Sequence, residues 1–168
     1  MPDFDPRYFR TVCGEFATGV TVVTSGKAPA FHGMTANAFT SLSLDPPLIL
    51  ICVDKNTHML KTLRETPVFT VNILAADQQN LSNYFAKSDR NYGPAEFTDI
   101  NLQYELGETG VPRIAGAIGY MDCTVHDIAP GGDHEIYIGE VKACWCRSDA
   151  APLIFFEGRY REIAPKAE

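Results

Sequence analysis

From His32 to Leu48 the chain reads HGMTANAFTSLSLDPPL, where Thr35, Asn37, Thr40, Ser41 and Ser43 set five donor-acceptor side chains within nine positions. Ala36 and Ala38 keep side-chain bulk low, so a flat ring could approach the main chain from Met34 to Ser41 and hydrogen-bond its N–H and C=O groups. Pro46 and Pro47 fix two φ angles at the exit, and the apolar run LILICV that follows anchors the stretch to a sheet. The same residues also describe a Ser/Thr-rich strand closed by an ordinary Asp45-Pro46-Pro47 turn. On residue types alone both readings stand.

Three further clusters carry polar chemistry. Asp54, Lys55, Asn56 and Thr57 sit where a buried strand gives way to a helix, whose first N–H groups could meet a phosphate, or which these residues simply cap. Gly131-Gly132-Asp133-His134 permits a sharp turn that sets a carboxylate and an imidazole at the start of a strand. His134 could there donate to a carboxamide, stack on a ring or handle a proton near neutral pH, or face water in a plain hairpin. Lys87, Arg90 and Tyr92 open the long segment Lys87 to Gly110, which could close over a ligand and bring a cation to its anionic tail, or merely carry surface charge.

Other chemistries lack their residues. There is no G-x-G-x-x-G dinucleotide loop, no G-x-S-x-G elbow and no P-loop. Cys144-x-Cys146 stands without a second pair, and the four histidines show no H-x-x-x-H spacing, so no metal is expected. A net charge of −7 without clustered Lys and Arg argues against a nucleic-acid partner. Five cysteines, mostly in apolar strand-like runs, suggest a reducing cytoplasm. No apolar stretch of about 18 residues supports secretion or membrane spanning.

The elements that must position these residues can be read in order. Asp5-Pro6 starts an amphipathic helix bearing Phe9, Val12 and Phe16 and lasting to Gly19; Val20 to Thr24 is a strand and Ser25 to Pro29 a turn. LILICV, Leu48 to Val53, reads as a strand buried on both faces. Asn56 or Thr57 caps a helix with Met59, Leu60 and Leu63 inward, Pro67 to Leu74 is a strand, and a second helix from about Asp77 aligns Leu81, Tyr84 and Phe85. A meander follows: Ala115 to Ile128, a turn at Ala129 to Gly132, His134 to Arg147, Leu153 to Phe156 and Arg159 to Ile163. In it Met121, Cys123 and Val125, and then Val141, Ala143 and Trp145, form buried faces. With 168 residues and no repeat or linker, this predicts one domain, 1–168, dominated by β structure with short helices and built as an antiparallel β-barrel.

The opening helix, GVTVVT at Gly19 to Thr24, GMTANAFTSLSLDPP at Gly33 to Pro47, FTVNIL at Phe69 to Leu74 and GDHEIYIGEV at Gly132 to Val141 together resemble the short-chain NAD(P)H:flavin reductase family with the FMN-binding split-barrel fold. The likeness runs from about Arg7 to Ile163. It implies a homodimeric, antiparallel Greek-key split barrel that transfers hydride from NADH or NADPH to FMN or FAD and supplies reduced flavin to a separate monooxygenase. By the same resemblance Met34, Thr35, Ala36, Asn37, Ala38, Thr40 and Ser41 would line the ring and ribityl chain, and Asp54, Lys55, Asn56 and Thr57 the phosphate. Phe85, Arg90, Gly132, Asp133 and Tyr160 complete the implied binding set, with His134 associated with the nicotinamide. The chain departs from the family pattern at Ala38, where serine is usual, and at Asp89-Arg90-Asn91, where D-R-F is usual and the aromatic is displaced to Tyr92. Two other readings keep the fold: electrons delivered to a corrinoid or metal complex, or a non-enzymatic flavin or haem carrier.

Overall fold

The computed structural model describes residues 4–163. Helix α1, Pro6–Gly14, begins where the sequence expects it: Asp5 Oδ1 accepts the Arg7 N–H at 2.8 Å and Pro6 occupies the first turn. A short strand β1, Thr18–Gly19, leads into β2, Thr21–Lys27, β3, Ala30–Ala36, β4, Phe39–Leu44, and β5, Pro47–Asp54. Helix α2, His58–Glu65, capped by Thr57, precedes β6, Val68–Ile73; then come α3, Gln79–Ala86, and α4, Ala95–Thr98. The chain closes with β7, Tyr104–Leu106, β8, Pro112–Ile114, the long β9, Gly119–Gly131, and β10, His134–Cys146, and finally β11, Ile154–Phe156, and β12, Arg159–Arg161.

Seven strands form one antiparallel sheet in the order β3-β2-β6-β9-β10-β5-β4. Its two edge strands, β3 and β4, are consecutive in the chain and separated only by Asn37 and Ala38. Three Cα steps span at most about 11 Å. The sheet must therefore curl until its edges nearly meet, yet they share no ladder, and this leaves an antiparallel barrel that is split along β3 and β4.

The inner face of the curl is a single cluster of Val23, Ile51, Val53, Phe69, Val71 and Tyr137, with Met59, Leu60 and Leu63 of α2 packed into it. A second cluster covers the outer face of β2 and β3, where Val22, Phe31 and Leu74 meet Phe85 of α3, Phe97 of α4 and Leu153. Consecutive Val22 and Val23 thus serve different cores, the expected outcome of side chains alternating across a strand. Polar groups at this junction are paired: the Asn72 side chain donates to Val22 O and accepts from the Ile114 N–H, while Thr24 Oγ1 donates to Pro112 O. Buried Asp122 receives Arg113, the Thr70 hydroxyl and the Glu108 N–H, and this carboxylate holds the Arg113 guanidinium above its usual range.

Several expectations need correction. Helix α1 stops at Gly14, not Gly19, and buries none of its residues, leaving Phe9 and Val12 exposed. Strand β2 continues to Lys27 because Ser25 pairs with both His32 and Phe69, so the expected turn at Ser25 shrinks to Ala28 and Pro29. LILICV is buried on one face only; Leu50 and Cys52 open onto a cavity. The segment Lys87 to Gly110 is not featureless but carries α4 and β7. Strand β9 runs on to Gly131, so the hairpin turn narrows to Gly132 and Asp133. Asp122, expected on a polar face, is buried by its partners, and Trp145 is exposed beyond the register shift between Val141 and Ala143.

The Asp122 network predicts a large effect from a small change. Asp122→Ala leaves the mostly buried Arg113 guanidinium without its carboxylate and should lower unfolding free energy by about 3–5 kcal/mol, measured by urea titration.

Candidate functional site

The split in the barrel opens into a cavity of about 560 Å³, walled by Phe16, Ala17, Leu50 and Ile73 and by Thr18, Gly19, Asn37, Ala38, Thr40 and Cys52. The wall is mainly apolar, but three donors are left without protein acceptors. The main-chain N–H groups of Asn37 and Ala38 make no hydrogen bond among the described residues; these two residues bridge the edges, and they are held through their carbonyls, Ala38 O accepting the Cys52 N–H at 3.1 Å and Asn37 O the Phe39 N–H at 3.0 Å. The Thr18 hydroxyl is buried and unpaired. A Cβ built on Gly19 would meet nothing within 4 Å, so glycine there is not demanded by packing and leaves the slot wide. Flat, apolar and edged with donors, this slot fits a planar heteroaromatic ring.

A second cavity, about 320 Å³, is walled by Met34, Asn56, Thr57, Phe85, Lys87 and Tyr92, together with His32, His58, Ala86, Ser88 and Arg90. Met34 lies three residues before Asn37 along the β3 exit, roughly 10 Å at strand spacing, so the two cavities follow one another along the split. Asn56 and Thr57 present polar side chains beside the N-terminus of α2, and Lys87 adds a cation. The turn at Gly132 and Asp133 is tied to the same corner, since the Lys55 N–H donates to Asp133 O at 3.1 Å and His134 pairs in register with Asp54. His134 Nδ1 lies 2.7 Å from Asp133 Oδ1, and this hydrogen bond holds the Asp133 carboxyl below its usual range. His134 is half-buried on the rim and lines neither cavity.

Not every expected residue arrives. Ala36 packs against the inner core, Thr35 Oγ1 donates outward to Ser82 O, and exposed Ser41 lies where β4 shifts register, so none of these lines either cavity. Asp54 accepts the Asn56 N–H at 2.7 Å and Lys55 Nζ donates to Gly132 O, so both serve the turn rather than a ligand. Tyr160 packs on Phe155, with its hydroxyl on Ser82 and Asn83 of α3, outside both cavities. Phe85 is buried against Gly33, where a Cβ would lie 2.4 Å from its ring; it forms core as well as wall.

Arg90 was expected to reach an anionic tail, but it is held by Glu96, whose side chain is 0% exposed. Glu96 Oε1 accepts from Arg90 at 3.0 Å and from the Gly33 N–H at 3.0 Å, while Oε2 meets His32 Nδ1 at 2.9 Å. Arg90 also donates to the carbonyls of Lys87 and Gly33. Sequence reasoning missed Glu96, since an acid in an aperiodic segment looks like surface. It also missed Thr18 and Gly19 as slot residues, although Gly19 opens the recognised GVTVVT motif and Thr18 directly precedes it.

The profile of a family described as Flavin reductase like domain matches residues 13–164. An NADH-dependent FAD reductase of Streptomyces globisporus is 43% identical over 160 residues, covering 95% of this chain and 86% of that protein. The reductase subunit HsaB of a flavin-dependent monooxygenase from Rhodococcus jostii is 34% identical, covering 96% and 80%. Among solved structures, the S. globisporus NADH:FAD oxidoreductase SgcE6 in complex with NAD and FAD fragments superposes with a TM-score of 0.89 at 40% identity, covering 100% of both chains.

Glu96 joins the wall of the second cavity to strand β3. Glu96→Ala strands a buried guanidinium and should cost about 3 kcal/mol or more in a denaturant titration. Glu96→Gln retains an acceptor for Gly33 and should cost distinctly less.

Proposed function

The chain belongs to the flavin reductase like domain family, and we propose on that basis that its split cavity receives the isoalloxazine ring of a flavin, with the phosphate end in the neighbouring cavity. The chain is an oxidoreductase, an NAD(P)H-dependent flavin reductase. The single observation that carries the placement is the set of unpaired donors, Asn37 N–H, Ala38 N–H and Thr18 Oγ1, around an otherwise apolar slot.

A bound flavin would supply the redox chemistry, as acceptor of a hydride from the nicotinamide. The chain's share is position and environment. Asn37 and Ala38 donate from the main chain to the polar edge of the ring, so the grip survives the loss of a serine hydroxyl at position 38. Phe16, Leu50 and Ile73 exclude water from the ring faces, and absence of a side chain at Gly19 leaves room for stacking. Asn56, Thr57 and Lys87 meet the phosphate, and His134 on the rim orients the nicotinamide.

We also read the chain as one domain that works as a homodimer in the cytoplasm. Phe16 is 77% exposed at the lip of the slot and Leu44 95% exposed on edge strand β4, a pattern that a second copy would cover. All five cysteines are free, as a reducing compartment requires. No helix among the described residues is long and apolar enough to cross a membrane. In this reading reduced flavin passes to a separate monooxygenase, which is supported by the HsaB relative's being named as the reductase subunit of a flavin-dependent monooxygenase.

Two experiments test the slot and its rim. Gly19→Val should fold as well as the parent by thermal melt but bind FMN at least tenfold more weakly, and FMN should slow alkylation of half-buried Cys52. Buried Cys123, its thiol pushed up to about 12 by burial, should stay unreactive throughout. Undiminished FMN affinity in Gly19→Val would remove the ring from this cavity. His134→Ala should lower kcat/KM for NADH by about 10²-fold while flavin affinity falls far less; unchanged NADH oxidation would take His134 out of the mechanism.

A further inference from the structure

Beyond the phosphate cavity lies a third, of about 400 Å³, lined by Gly26, Lys27, Phe31, Thr62, Glu65 and Gly93. It shares three residues with the phosphate cavity: His32, His58 and Tyr92. His58 and Tyr92 stack with ring centroids 3.8 Å apart and planes inclined by 21°, and they form the partition between the two spaces. The stack is fixed from behind. The Tyr92 hydroxyl donates to Ser88 O at 2.9 Å, the Arg90 guanidinium sits 5.2 Å from the Tyr92 centroid, and Arg90 is itself locked to buried Glu96.

Only the imidazole at the top of this pile is exposed. Desolvation, followed by the influence of nearby His32 and Lys61, lowers the pKa of His58, which favours the uncharged ring as a π surface. Lys27 borders the third cavity and Lys61 lies near enough to His58 to act on its charge, so both add positive charge around the partition, while Thr62 and Glu65 offer oxygen acceptors. An aromatic platform with flanking cations and hydroxyl-binding acceptors, next in line after a phosphate site, has the chemistry of a purine nucleotide subsite.

Resting on the reading of the chain as a flavin reductase, we propose that the His58–Tyr92 stack is the platform for the adenine of FAD and so determines preference for FAD over FMN. Adenine lies on the outer face of His58, extending the pile by one ring. Its ribose hydroxyls donate to Glu65 and Thr62 in the third cavity, and the pyrophosphate crosses the partition near Lys61. FMN, which ends at its phosphate, stops short of the platform.

The test is equilibrium binding of FAD, FMN and riboflavin, by flavin fluorescence, to the full chain and to His58→Ala, Tyr92→Ala and Tyr92→Phe. His58→Ala and Tyr92→Ala should weaken FAD about tenfold more than FMN, the loss expected for one base-aromatic stack, whereas Tyr92→Phe keeps the parental ratio. Adenosine should displace FAD from the parent protein and leave riboflavin in place. Equal loss of FAD and FMN, or no loss of either, would overturn the platform while FMN-supported NADH oxidation left the flavin reductase reading intact. Failure of the parent protein to bind any flavin would sink both. His58 stands exposed at the first turn of α2, where alanine is well tolerated, so that variant reports on binding even if Tyr92→Ala does not fold.

Discussion

The link from β3 to β4 consists of Asn37 and Ala38, and it joins strands that stand at opposite edges of a seven-stranded sheet. A flat sheet of that width would set its edges several strand spacings apart, about 4.8 Å each, far beyond what two residues can reach. Curling is thus enforced by connectivity, and so is the split: of the two bridging residues only Ala38 reaches a neighbouring strand, through its carbonyl, which accepts the Cys52 N–H at 3.1 Å. Their N–H groups are left over as a geometric consequence. The candidate ligand slot is the place where the barrel fails to close, which explains why main-chain donors rather than charged side chains edge it.

A second constraint holds the rest in place. Glu96 brings Arg90 from the loop beyond α3 together with the adjacent His32 and Gly33 of β3, at a carboxylate with no exposure to solvent. A buried carboxylate with three partners persists only if all of them are present. The same point locks the loop beyond α3 against β3 and so shapes the second and third cavities together. Asp122 plays the matching role on the opposite flank, where it fastens the β7–β8 hairpin through Arg113 and Glu108.

Much of this was legible in the chain. Strand positions, the α1 and α2 caps and the polar stretch from Met34 to Thr40 follow from alternation, capping residues and small side chains, all of them local signals. What was not legible depends on pairing at long range. Asp122 reads as the polar face of a strand until Arg113, nine residues earlier, folds back on it. Arg90 reads as a free cation until Glu96 is known to be buried. Phe9 and Val12 read as core because periodicity marks an apolar face without saying what covers it. Thr18 carries no signal of its own, and Gly19 opens a recognised motif without declaring a role; the significance of both lies in the space in front of them.

The charges limit how a phosphate could be held here. Of the cations near the phosphate cavity, Arg90 is consumed by Glu96 and Lys55 by the Gly132 carbonyl, which leaves Lys87 among neutral donors. The chain as a whole carries −7, so nothing in its long-range field draws in an anionic ligand. Affinity must then come from the apolar slot and a few hydrogen bonds, which lack the strength of a bidentate guanidinium clamp on phosphate. The diversion of Arg90 into the fold removes from this cavity the one arginine that could have supplied that clamp.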